Sequence, residues 1–137
     1  MSNHIKRERG SSTGKSAHIQ RDRNNPTRYY STKQENTVAK ELGGTRTKNS
    51  GATDFGGKSD VSIESLFNIE CKTKTTSCNS ISIKKEWIEK NAKEALFDGR
   101  PYSAIAFNFG PGEDNFYIID RHLFESLIEY LSTKEDN

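Results

Sequence analysis

Long apolar runs are missing from this sequence, and apolar residues are scarce throughout: they make up 31% of its 137 residues, with a mean hydropathy of -0.91. No run approaches the roughly 20 residues that span a bilayer, so a soluble protein with no membrane partner is expected. The basic residues near the start precede no apolar core segment, and so do not read as a secretory signal. Cysteine is nearly absent. Cys71 and Cys78 are too few and too closely spaced for a disulfide framework or a zinc site, and reduced thiols imply a cytoplasmic setting. His4, His18 and His122 are scattered without ligand spacing and suggest no metal site.

The apolar content that exists is unevenly spread. Residues 1–33 contain only Met1, Ile5, Ala17, Ile19, Tyr29 and Tyr30, too few to offset the entropy of ordering that length. Residues 1–32 therefore read as a basic, disordered N-terminal arm, and 33–137 as one domain. Charge divides at the same place: residues 1–33 hold eight Lys/Arg against two acids (net +6), and residues 34–137 hold thirteen against seventeen (net -4). A basic arm on an acidic body suits contact with a phosphate backbone, since each neutralised phosphate releases counterions. Solubilising leaders share that composition.

Residues 32–42 predict a helix with Ser31 or Thr32 near its cap, Glu35 in its first turns, Val38, Ala39 and Leu42 on one side, and Gly43-Gly44 as its stop. The segment TRTKNSGATDFGGKS reads as a loop with room for one short strand at 52–55. Two strands follow, at 60–64 and 66–73, joined by a turn at Glu64-Ser65. A second helix spans 84–97, its apolar face formed by Trp87, Ile88, Ala92, Ala95 and Leu96. Strands at 102–109 and 115–120 flank the turn GPGED. Asp120 then caps a last helix with an apolar stripe at Leu123, Phe124, Leu127, Ile128 and Leu131. The order predicts an α/β fold, a mixed sheet flanked by helices with a helix at its C-terminal end. Its core is small, so self-association through the apolar helix faces is plausible.

The chemistry gathers in SDVSIESLFNIECKTK, residues 59–74. Strand alternation sends Glu70 and Lys72 to one face, Ile69 and Cys71 to the other. Asp60, brought alongside Glu70 by a hairpin, would complete a hard oxygen site suited to Mg2+, with Mn2+ as substitute, and the backbone carbonyl of Cys71 could add a third oxygen. Lys72 beside it would stabilise charge on a phosphorus centre or orient an attacking water. Such a set would hydrolyse phosphodiesters. An E-x-K on a strand facing solvent is, by itself, usually only surface charge.

In order along the chain, Glu35, Ser50-Gly51, Asp60 and Glu70-Cys71-Lys72 resemble the motifs of the PD-(D/E)XK nucleases, and among them the small Holliday-junction resolvases of archaeal and phage type. The resemblance covers residues 33 to 110. It implies a restriction-endonuclease-like αβββαβ core, with 33–137 as the nuclease domain. It also implies metal binding by Asp60 and Glu70, assistance to the nucleophilic water by Lys72, support from Glu35, and a place near the scissile phosphate for Ser50. Residue 59 is Ser where the family name has Pro, and Glu41 competes with Glu35, whose spacing fits better. Arg46, Lys48, Lys58, Lys84 and Lys85 flank the site as candidate DNA contacts.

The expectation is therefore a Mg2+-dependent, structure-selective endonuclease acting in DNA recombination. It would be a homodimeric Holliday-junction resolvase that leaves 5'-phosphate ends, of a size suited to a phage-encoded enzyme in a bacterial host. A homodimer suits a two-fold substrate cut on two strands. The alternatives are another nuclease of the superfamily that nicks or cuts linear duplex, and a non-enzymatic DNA-binding or packaging protein whose acids are structural.

Overall fold

The computed structural model describes residues 26–47 and 59–136. Among these residues three helices and five strands follow one another in the order α1 (Pro26–Leu42), β1 (Thr45–Arg46), β2 (Val61–Ile63), β3 (Phe67–Lys72), α2 (Lys85–Phe97), β4 (Tyr102–Phe107), β5 (Phe116–Ile118) and α3 (Arg121–Asp136). The strands form one sheet in their chain order, antiparallel except where β3 and β4 run parallel. The expected α/β fold, a mixed sheet with a helix at its C-terminal end, is what the chain adopts.

Helix α1 begins six residues before the expected start. Pro26 stands at the first helical position, where its fixed φ and missing N–H cost nothing. Tyr29 and Tyr30 then pack edge to face, with ring centroids 5.0 Å apart. Residues 26–32 therefore belong to the folded domain, and Glu35 lies in the middle of α1. Gly43, with φ 71°, ends the helix in the left-handed conformation that glycine adopts without strain. Gly44 then passes so close to β2 that a Cβ there would stand 2.7 Å from the Ser62 carbonyl oxygen. That turn delivers β1, a two-residue strand within the segment expected to be loop.

The β2–β3 hairpin forms where expected, and its turn holds Glu64 at φ 46°. The core lies between α1 and one face of the sheet: Val38 packs with Val61, Ile69, Cys71, Ala104 and Ala106. Alternation along β3 sends Glu70 and Lys72 to the opposite face, which α2 covers. That interface is more polar than the predicted stripe. α2 buries Asn91, Glu94 and Ala95, whereas Leu96 and Phe97 are 76% and 82% exposed. Asn91 replaces apolar contact with hydrogen bonds, donating from Nδ2 to the Ala104 carbonyl at 3.0 Å and to the Asn68 carbonyl at 3.3 Å.

Asp120 caps α3 as expected, its Oδ1 accepting the Leu123 N–H at 2.8 Å. Yet among the described residues the stripe on α3 is left uncovered: every residue from Phe124 to Glu135 is exposed, and no other described element packs extensively against it. No described helix is long and apolar enough to cross a membrane.

Candidate active site

Asp60 is tied into the sheet on both sides. Its N–H donates to the Ile69 carbonyl at 3.1 Å, and its own carbonyl accepts the Thr47 N–H at 2.9 Å. The β2–β3 ladder ends at Val61 and Ile69. One step further along β3, the Cys71 N–H donates to Asp60 Oδ2 at 2.8 Å, so the carboxylate takes the place a strand carbonyl would fill. The hairpin thereby holds residue 60 beside residues 70 to 72, the juxtaposition anticipated from a spacing of ten.

Other carboxylates crowd this position. Asp60 is pushed up to about 7, first by burial and then by the Glu70 charge, against the Cys71 N–H that favours its ionised form; Glu35 raises it further and Lys72 lowers it. The thiol of Cys71, buried behind the strand, is also pushed up, by burial first and then by the charges of Asp60, Glu35 and Glu70. The charges of Glu35 on α1 and Glu70 on β3 thus both act on the carboxyl of Asp60, which immediately precedes β2. A desolvated carboxyl that feels two further acids is characteristic of functional sites.

The remaining groups fall around that centre. Lys72 Nζ stands 3.2 Å from Glu70 Oε2 and 4.3 Å from the centroid of the Trp87 ring, and Glu70, Lys72, Glu86, Trp87 and Lys90 line a shared open pocket. The carboxylate and the π face together hold the ammonium in one place. Glu35 Oε1 accepts from Arg46 Nε at 2.8 Å, so Arg46 anchors that acid across the α1–β1 turn. Lys84 precedes α2, with its Nζ 5.9 Å from the Trp87 ring centroid. Lys48, Ser50 and Lys58 lie outside the described residues, as does the strand expected at 52–55. Glu41 is exposed on the last turn of α1.

Among the described residues no three His, Cys, Asp or Glu side chains form a ready-made ligand cluster. Mg2+ does not require one, because it is commonly held by one or two carboxylates, several waters and substrate phosphates. Asp60 and Glu70 fit that demand in donor type, and the crowding that raises Asp60 is relieved by a divalent cation. The Cys71 side chain takes no part, being 8% exposed and packed in the core.

Two contributors escaped the sequence reading. Trp87, taken as a core residue, is half-buried over Lys72. Gln34, adjacent to Glu35, is 5% exposed and donates from Nε2 to the Lys72 carbonyl at 2.9 Å and to Asn115 Oδ1 at 3.0 Å, which ties α1 to the end of β3. Its position four residues before Val38 was the available signal, since both fall on the same helix face. No family model, curated protein or solved structure matches the chain.

Proposed function

We propose that the chain is a Mg2+-dependent DNA endonuclease of restriction-endonuclease-like fold, acting as a homodimer on four-way junctions. The observation that carries this reading is the docking of the Asp60 carboxylate on the Cys71 N–H at 2.8 Å, where the charges of Glu70 and Glu35 help push it up to about 7, with Lys72 held beside Glu70. In support of the fold assignment, the elements from α1 to β4 run in the order αβββαβ, with Asp60 immediately before β2 and Glu70 and Lys72 on β3, its antiparallel neighbour.

Asp60 and Glu70 would hold the ion, which supplies Lewis acidity towards the phosphate and neutralises its charge. Asp60 must be ionised to bind it, and the metal competes with the proton that burial and its neighbours favour. Activity should therefore climb as pH rises towards and past 7. Lys72 is placed to stabilise the pentavalent phosphorus as charge develops on its oxygens, Glu70 and Trp87 fixing its ammonium before substrate arrives. Glu35, paired with Arg46, would act through its charge on Asp60.

The test is incubation of the purified chain with Mg2+ and a panel of four-way, flapped, nicked and linear DNA. Cleavage concentrated on the four-way form, leaving 5'-phosphates and falling about 10³-fold or more in Asp60→Asn, supports the reading. Equal cutting of linear duplex points to the nicking or duplex enzyme instead. DNA binding with no cleavage, together with Mn2+ heats that Asp60→Asn leaves unchanged, points to a binding or packaging protein.

A further inference from the structure

The apolar stripe of α3 has no counterpart among the described residues. Phe124, Leu127, Ile128 and Leu131 are 52%, 41%, 49% and 50% exposed, and Tyr130 beside them is 58% exposed. They recur at the three- and four-residue spacing of one helix face, on a helix of 16 residues. A helix of that length is marginal in water without a tertiary partner. Something outside the chain's own described body must cover this face.

We propose that a second copy of this chain covers it, the two copies pairing through their α3 helices about a two-fold axis. Area is the first argument. The exposed portions of these five side chains, contributed twice, amount to on the order of 1,000 Å2, which reaches the lower end of specific interfaces. Charge is the second. The stripe itself carries no charged residue, so like meeting like buries no unpaired ion. The flanks mix both signs, Arg121 and Lys134 with Glu125, Glu129, Glu135 and Asp136, and Arg121 is already paired to Glu125 at 2.9 Å within the helix. The slight acidic excess calls for no strongly charged partner, and it gives nucleic acid nothing to bind. Geometry is the third. One helix face meeting its own copy is self-complementary and closes after two subunits.

This interface deepens the homodimer in the proposed function but rests on α3 alone, and its test uses neither DNA nor metal. Sedimentation equilibrium and light scattering of the full chain at micromolar concentration should give twice the mass of one chain. Leu127→Glu combined with Ile128→Glu should give a monomer whose circular dichroism retains the sheet and whose melting transition persists. Leu127→Ala, which keeps the helix, should weaken the dimer by about ten-fold or more, as loss of a central apolar anchor does. A monomeric wild type overturns the proposal, as does a mass that rises without limit or a doubly charged variant that stays dimeric. If that variant does not fold, Leu127→Ala decides alone, and an unchanged dissociation constant overturns the proposal. A dimer that cleaves nothing leaves this interface standing while removing the nuclease reading; a monomer that cleaves does the reverse.

Discussion

Helices α1 and α3 are nearly equal in length, 17 and 16 residues, yet the less apolar of the two is the one the fold encloses. α1 buries Gln34 and Val38 and is secured by polar links: Gln34 to Lys72 and Asn115, and Glu35 to Arg46. α3 has the better apolar stripe and leaves it in the open. The difference teaches that amphipathicity specifies a face to be covered without specifying by whom, whereas a buried amide fixes both the neighbour and the register. The candidate site adjoins these polar links, and the exposed stripe lies where they are missing.

Cutting the polar links should break that contrast most strongly. Gln34→Leu keeps the volume but removes the donor to the Lys72 carbonyl and to Asn115 Oδ1. Buried acceptors left without donors cost more than the net worth of the bonds, so a loss of about 2–3 kcal/mol in urea unfolding is expected. The midpoint should shift without a change in slope. Lys72 is displaced as well, since its backbone is one of the acceptors. If Gln34→Leu is neutral, α1 is held by Val38 alone and the distinction between the helices is lost.

Asp60→Asn is the second lever, and here stability and activity should move in opposite directions. With its carboxyl pushed up to about 7 in the fold, against an ordinary value near 3.9 for a free side chain, Asp60 stays protonated in the native state at pH values where the unfolded chain has ionised. The native state thus binds more protons, so stability is greatest below the unfolded value, declines as pH rises through this window, and levels off above about 7. Asparagine keeps an oxygen for the Cys71 N–H and never ionises. The variant should therefore be more stable than wild type at pH 8 without metal, by on the order of 1–2 kcal/mol, with the gain shrinking towards zero near pH 4. Melting temperatures measured across that range check it. A constant offset at all pH values would remove the crowding of charge from the account of this site.

Much of the site was legible because β structure converts spacing into geometry. Period-two alternation put Glu70 with Lys72 and Cys71 with Ile69, and the turn at Glu64-Ser65 brought Asp60 alongside. The length of α1 was not legible, because Tyr29 and Tyr30 were counted among too few apolar residues to order the arm, whereas their rings pack edge to face. Apolar periodicity also misread α2, which buries Asn91 and Glu94 with Ala95 and leaves Ile88, Ala92 and Leu96 of the expected face exposed. Hydrogen bonds to strand carbonyls leave no periodic trace in a sequence. The stripe on α3 was legible as an apolar face; what covers it was not legible beyond the expectation of self-association, since a surface exposed in one chain names no partner.

The smallest effect compares one kind of contact in the two regions. Glu35–Arg46 and Glu125–Arg121 are both close ion pairs, at 2.8 and 2.9 Å. Glu35 is 15% exposed, while Glu125 and Arg121 are 59% and 70% exposed. Water and salt screen the α3 pair, and holding two long side chains together offsets most of what it gains. Glu125→Gln should thus lower stability by no more than about 0.5 kcal/mol, and by nothing measurable in molar salt. Glu35→Gln should behave differently in kind. Losing the Arg46 pair destabilises α1, but removing one acid also relieves Asp60, so the titration of Asp60 should shift down from about 7. The pH at which stability levels off would move with it. Following that inflection in Glu35→Gln, with Glu125→Gln as the control that leaves it fixed, tests whether the charge on α1 belongs to the site or merely decorates a helix.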